Sequence, residues 1–116
     1  MFIGSTTNSS ATRIFDIAEM PEVEFTAVEL TGGGIKPAGE NSIPVGIYNG
    51  SDVNVCGGTL WKVGGQSIVA GDFLASNENG LAVKATSGKY AFGIALTNAS
   101  SSAVVEAQII NGGFVR

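Results

Sequence analysis

Residues 67–83 read SIVAGDFLASNENGLAV: an apolar run, a Gly71-Asp72 break, a second apolar run, a polar turn and a third apolar run. Each run is too short for a helix and ends in residues that turn the chain. Gly71 tolerates a positive φ and Asp72 bonds readily to nearby backbone, which suits a bulge or sharp bend. Asn79-Gly80 is the favoured pair for a hairpin turn with two positive φ values. The stretch reads as architecture, and nothing in it looks like chemistry.

The same punctuation continues on either side. From Phe25 onward come FTAVEL, SIPVGIY, VNVCGG, TLWKVGG, SIVAGDFLA, LAVKA, YAFGIAL and AVVEAQII. Turn residues separate them at 31–34, 49–52, 64–66, 77–80, 86–88 and 98–102. Short strands spaced this closely predict an all-β fold, a compact antiparallel β-barrel or sandwich. Seventeen glycines against three prolines agree with many tight turns. At 116 residues the chain has room for one core, and 44% hydrophobic against 14% charged residues is the balance of a chain that folds.

The chain also resembles itself. VGIYNGSDVNVCGGTLWKVGG (residues 45–65) lies beneath FGIALTNASSSAVVEAQIINGG (residues 92–113), with Gly46-Ile47 over Gly93-Ile94 and, after a gap, Gly64-Gly65 over Gly112-Gly113. GGGIKPA falls roughly over NENGLAVKA. Two similar motifs sharing one barrel-like core are expected, joined near residues 67–74. Two copies are too few for a solenoid.

Residues 1–24 differ from the rest. GSTTNSSAT is a polar leader without periodicity, followed by RIFDIAEMPEVEF. Ile14, Phe15, Ile17 and Ala18 suit one face of a short helix from Thr12 to before Pro21, and Phe15 and Ile17 about Asp16 equally suit a strand. The domain division is an extended N-terminal arm, residues 1–24, and a β domain, residues 25–116. The arm either reaches a partner or completes the barrel of its own domain.

Composition and spacing exclude much. A net charge of −4 with six scattered basic residues gives no counterion-releasing surface, so nucleic acid is not an expected partner. No run approaches the roughly 18 apolar residues of a membrane helix, and MFIGSTTNSS lacks the charged and apolar regions of a signal peptide, so synthesis inside the cell is expected. With no histidine to activate it, the lone Cys56 reads as a small packed residue rather than a nucleophile. GIKPAGEN has the glycine spacing of a phosphate loop but puts Glu40-Asn41 where Lys and a hydroxyl are needed. Asp72, Asn77, Glu78 and Asn79 lack the alternating acids of a calcium loop. Glu19, Glu22 and Glu24 read as a solvated face. No catalytic, cofactor or metal residue is assigned, and an enzyme is not expected. Trp61 on an alternating strand reads as a core or interface aromatic.

GGTLWKVGGQSIVAGDFLASNENGLAVKATSGKYAFGIAL resembles the small bacteriophage capsid decoration, or cement, proteins. The resemblance rests on Ile68, Gly71, Asp72, Leu74, Gly80, Ala82, the Phe92-Gly93-Ile94-Ala95 strand, and Val104, Glu106, Ile109 and Gly112. It extends over residues 57–113 and loosely over the first copy. It implies a β module, trimeric or clustered, on the exterior of a virion, made in the host cytoplasm and bridging neighbouring capsid subunits. The implied partners are the major capsid protein and two further copies in a homotrimer. The arm residues Phe2, Ile3, Arg13, Ile14, Phe15 and Ile17 are the candidate contacts to capsid or neighbour. The alternative is a glycan- or receptor-binding module, such as a head-fibre or tail-fibre base, using Trp61, Tyr48 or Tyr90.

Overall fold

The computed structural model describes residues 11–116, among which there are nine strands and no helix. They are β1 (Ala11–Arg13), β2 (Thr26–Thr31), β3 (Gly34–Pro37), β4 (Gly46–Tyr48), β5 (Val53–Lys62), β6 (Phe73–Ser76), β7 (Ala82–Lys84), β8 (Gly93–Ala95) and β9 (Val104–Ile109). All strand pairs are antiparallel, in the order β3-β2-β4-β5-β9-β8-β6-β7, with β1 added on β5. The sheet curls into a half-barrel.

The pairing registers show a tandem repeat. β1 lies on the first part of β5 with Thr12 opposite Asn54 and Arg13 opposite Val53. The second part of β5 lies on β9 in the same way, with Gly58 opposite Gln108 and Thr59 opposite Ala107. The β2–β3 hairpin meets β4 with Ala27 opposite Ile47, as β6–β7 meets β8 with Phe73 opposite Ile94. A parallel bridge from Ile17 to Ile35 covers the β3 edge, as one from Val63 to Ala82 covers β7. Each unit therefore has five strand segments, and β5 ends one unit and begins the next. Each bridge covers part of an outer edge, which shortens the open strand on which sheets aggregate.

The expected motif repeat is present, but its junction is at Cys56-Gly57 rather than at residues 67–74. Gly57 carries the strand through at φ +81°, so the break expected between VNVCGG and TLWKVGG is a bend within one strand. By register, Asn54 matches Gln108, so the Gly64-Gly65 and Gly112-Gly113 pairs do not correspond. The loop before β9 is longer than the turn before β5, and glycine matching hides that difference. β3 was not anticipated as a strand, because GIKP carries turn-type residues. Pro37 is tolerated there because it ends an edge strand.

The opening stretch is mostly as read. Gly71 takes φ +95° and Asp72 Oδ2 accepts the Val69 N–H at 2.9 Å, which makes the bend. SIVA contributes only the bridge from Ile68 to Ala99. In the hairpin only Gly80 has a positive φ, because Asn77 closes a longer loop with its side chain. Its Oδ1 accepts the N–H groups of Asn79 at 2.8 Å and Leu81 at 3.0 Å.

Two clusters of buried side chains form the interior. Val28, Ile35, Tyr48 and Val53, with half-buried Phe15, Val45 and Val55, fill the first unit. Leu74, Ala82, Ala95 and Ala107, with Trp61, Phe92 and Ile109, fill the second from matching positions. Ala27, Ala38 and Ile47, on the first unit's other side, belong to this second cluster, so the second unit's core packs against the first unit's back. The Trp61 ring stands edge-on to Phe92 at 5.8 Å, and its Nε1–H donates to the Gly80 carbonyl at 3.0 Å.

Two outcomes follow for stability. A Cβ at Gly80 would sit 2.6 Å from both the Ala27 carbonyl oxygen and Thr26 Cγ2, at φ +80°. Gly80→Ala should cost about 2–4 kcal/mol in urea unfolding, through backbone strain plus a clash at the seam. Gly88→Ala, at φ +87° with open space around its Cβ, should cost only about 1–2 kcal/mol. Equal losses would refute the seam. Trp61→Phe should cost about 1–3 kcal/mol, since it shrinks the core and removes one donor while the Gly80 carbonyl keeps its bond from Ala27.

Candidate functional site

Three surfaces stand out. The first is a groove of about 580 Å³ between the units, with Glu19, Glu22, Glu29 and Glu78 around Met20, Val23 and Leu81. The loop before β2 and the tip of the β6–β7 hairpin form its walls. Lys36 Nζ lies 3.9 Å from Glu29 and offsets one charge. Among the described residues no three metal-binding side chains gather to hold an ion. The groove can attract cationic groups.

The second surface is the start of the first unit. Phe2 and Ile3 lie outside the described residues. Arg13 and Ile14 face solvent, with Ile14 84% exposed, and the Arg13 guanidinium sits 5.7 Å above the Phe15 ring. Phe15 packs on the first unit's core, and Ile17 forms the bridge to Ile35 while staying partly exposed. Of the two local structures open at residues 12–20, strand pairing is what forms. The four described arm residues divide, with Phe15 and Ile17 serving the barrel and Arg13 and Ile14 facing outward.

The third surface was not singled out from sequence. On the outer side of the second unit, Phe73, Ile94, Leu96, Leu60 and Val104 form an apolar face across β6, β8, β9 and β5, with Glu106 and Gln108 among them. Phe73 is 52% and Leu96 50% exposed. Alternation along VVEAQI offered a signal, because it puts Val104 on the polar side with Glu106 and Gln108.

The remaining candidates resolve into architecture. Trp61 is 1% exposed and its Nε1–H is already bonded, so it is a core aromatic with no face left for a partner. Tyr48 is buried, its hydroxyl donating to the Gly50 carbonyl at 3.0 Å. Tyr90 is half-buried, edge-on to the exposed Phe114 at 5.2 Å, with its hydroxyl donating to Asn111 at 3.2 Å. Cys56 is exposed rather than packed, beside the bend at Gly57. Gly34–Pro37 is strand and Gly39 begins a turn closed by Ser42, so GIKPAGEN forms no phosphate loop. Asp72 is engaged by Val69 and lies 3.8 Å from Lys84 Nζ, which makes it a turn residue. The Ser51 hydroxyl, donating at 2.8 Å, holds the Asp52 carboxyl below the usual range, and this too belongs to a turn.

No family model and no curated protein sequence matches the chain. Among solved structures, the chain is similar to the crystal structure of the head fiber gp8.5 N base of bacteriophage phi29. The match has a TM-score of 0.65 and 21% identity, and covers 80% of this chain and 88% of that one. At that identity, what the two chains share is the fold.

Proposed function

We propose that this chain is a non-enzymatic structural protein of a bacteriophage virion, bound to the outside of the head through the major capsid protein. The fold shared with a phage head-fibre base carries the reading. The sequence resemblance to decoration proteins points to the same location. A surface poor in charge suits many repeated contacts on a lattice, where weak sites add up to high avidity. Arg13 and Ile14, exposed beside the first strand and preceded by Phe2 and Ile3, are the contacts to the shell.

Two forms of this role differ in what the bound protein does. A decoration protein bridges neighbouring capsid subunits and strengthens the shell. A fibre base holds a projecting part, which the likeness to the phi29 protein favours.

Purified protein added to heads that lack it should bind at a fixed ratio and appear on the outer surface by cryo-electron microscopy. A rise in the temperature at which heads release DNA would mark bridging, and binding without that rise would mark a fibre base. Failure of the full chain to bind heads would overturn both. Deleting residues 1–10 spares β1, so the protein should remain folded and lose binding. Ile14→Asp should weaken binding by about tenfold, the cost of removing one partly buried aliphatic contact. Unchanged binding in both variants would remove this end of the chain from the contact.

A further inference from the structure

We infer that the apolar outer face of the second unit, centred on Phe73, Ile94 and Leu96, is an interface that receives a second copy of this chain. The residues of the first unit that match Phe73 and Ile94 are Ala27 and Ile47, by cross-strand register. Both are 0% exposed, because the core side of the second unit packs over them. The first unit's back is thus covered by the second unit, while the matching back of the second unit is open among the described residues.

An open repeat face is normally capped by polar residues that keep it soluble. The substitution here runs the other way. Where the covered unit has Ala27, the open unit has the much larger and apolar Phe73. Asn49, at the end of β4, is replaced at the corresponding place after β8 by Leu96, and exposed Leu60 and Val104 extend the same face. An apolar enlargement at an uncovered repeat face favours another unit packing there. The interaction continues one the chain already makes within itself, so the fitting occupant is the first unit of another copy. Phe15, Val45 and Val55, half-buried at its core, are the matching side.

Such a contact joins two different surfaces. A head-to-tail contact of this kind closes into a ring when its rotation permits, and a homotrimer is one such ring. Phe73 and Leu96 lie on the second unit and Arg13 and Ile14 on the first, so substitutions at Phe73 or Leu96 separate association between copies from attachment to the shell.

Sedimentation of the full chain over a concentration range tests this. The wild type should self-associate, and Phe73→Glu and Leu96→Glu should each weaken association by about 100-fold, as expected for central apolar interface residues. Both sites are half-exposed, so circular dichroism and unfolding should match wild type. A wild type that stays monomeric at high concentration would overturn the inference. So would a folded Phe73→Glu variant that associates like wild type. A monomer whose Phe73→Glu variant loses head binding would assign the face to the shell protein and overturn the second copy as its occupant.

Discussion

One backbone oxygen ties the seam between the two units to the second core. The Gly80 carbonyl accepts the Ala27 N–H at 2.8 Å from the first unit and the Trp61 Nε1–H at 3.0 Å from the second. Both of its lone pairs are thereby used in a place where water has no access, and an unsatisfied group there costs about 1–3 kcal/mol. The hairpin tip must come so close to β2 that any side chain at Gly80 would strike it. The requirements converge on one residue, with a positive φ, no Cβ and a buried acceptor. The Trp61 ring then has a fixed position, Phe92 packs perpendicular to it, and the remaining alanines of the second core fill around the pair.

Why the fold class was legible and the repeat only partly so follows from how the cores are filled. Turn residues carry their signal locally, through backbone preference, so the strands from Phe25 onward stand out in the sequence. Core positions are constrained by summed volume rather than identity. Phe15, Val28, Ile35, Val45, Tyr48, Val53 and Val55 in one unit match Trp61, Leu74, Ala82, Phe92, Ala95, Ala107 and Ile109 in the other. Three large side chains, Ile35, Tyr48 and Val53, become alanines, while Phe15 and Val45 become Trp and Phe. Matching pairs therefore look unrelated in the sequence, and Gly46-Ile47 over Gly93-Ile94 is what survives. That glycine is kept because a Cβ would meet the neighbouring strand, 2.3 Å from the Asn54 oxygen at Gly46 and 3.1 Å from the Gln108 oxygen at Gly93.

The candidate surfaces were harder to read because they depend on which side of a strand meets another unit. ATRIF gives no sign that it is the counterpart of the first strand of the second unit, since β1 has only three residues and its partner lies about forty positions away. The apolar alternation in β8 and β9 says which side is core only once the partner is known. Without the register, Leu60 and Leu96 look like ordinary strand residues.

Phe25 and Gly71 show how the two units came to differ. They occupy the same place, each donating its N–H to the strand opposite, Phe25 to Tyr48 at 2.6 Å and Gly71 to Ala95 at 2.8 Å. Both adopt positive φ, +63° and +95°, a conformation glycine takes freely and a bulky residue rarely does. The strain at Phe25, of order 1–2 kcal/mol, persists because its ring packs against the second unit's core and its carbonyl accepts the Lys62 N–H at 2.8 Å. Gly71, with open space where its Cβ would be, seals nothing. The first unit thus carries a strained aromatic where its back is covered, and the second leaves the same place bare beside Phe73. The seam within the chain is closed by residues built for it, and the matching surface at the far end keeps the apolar side chains without the plug.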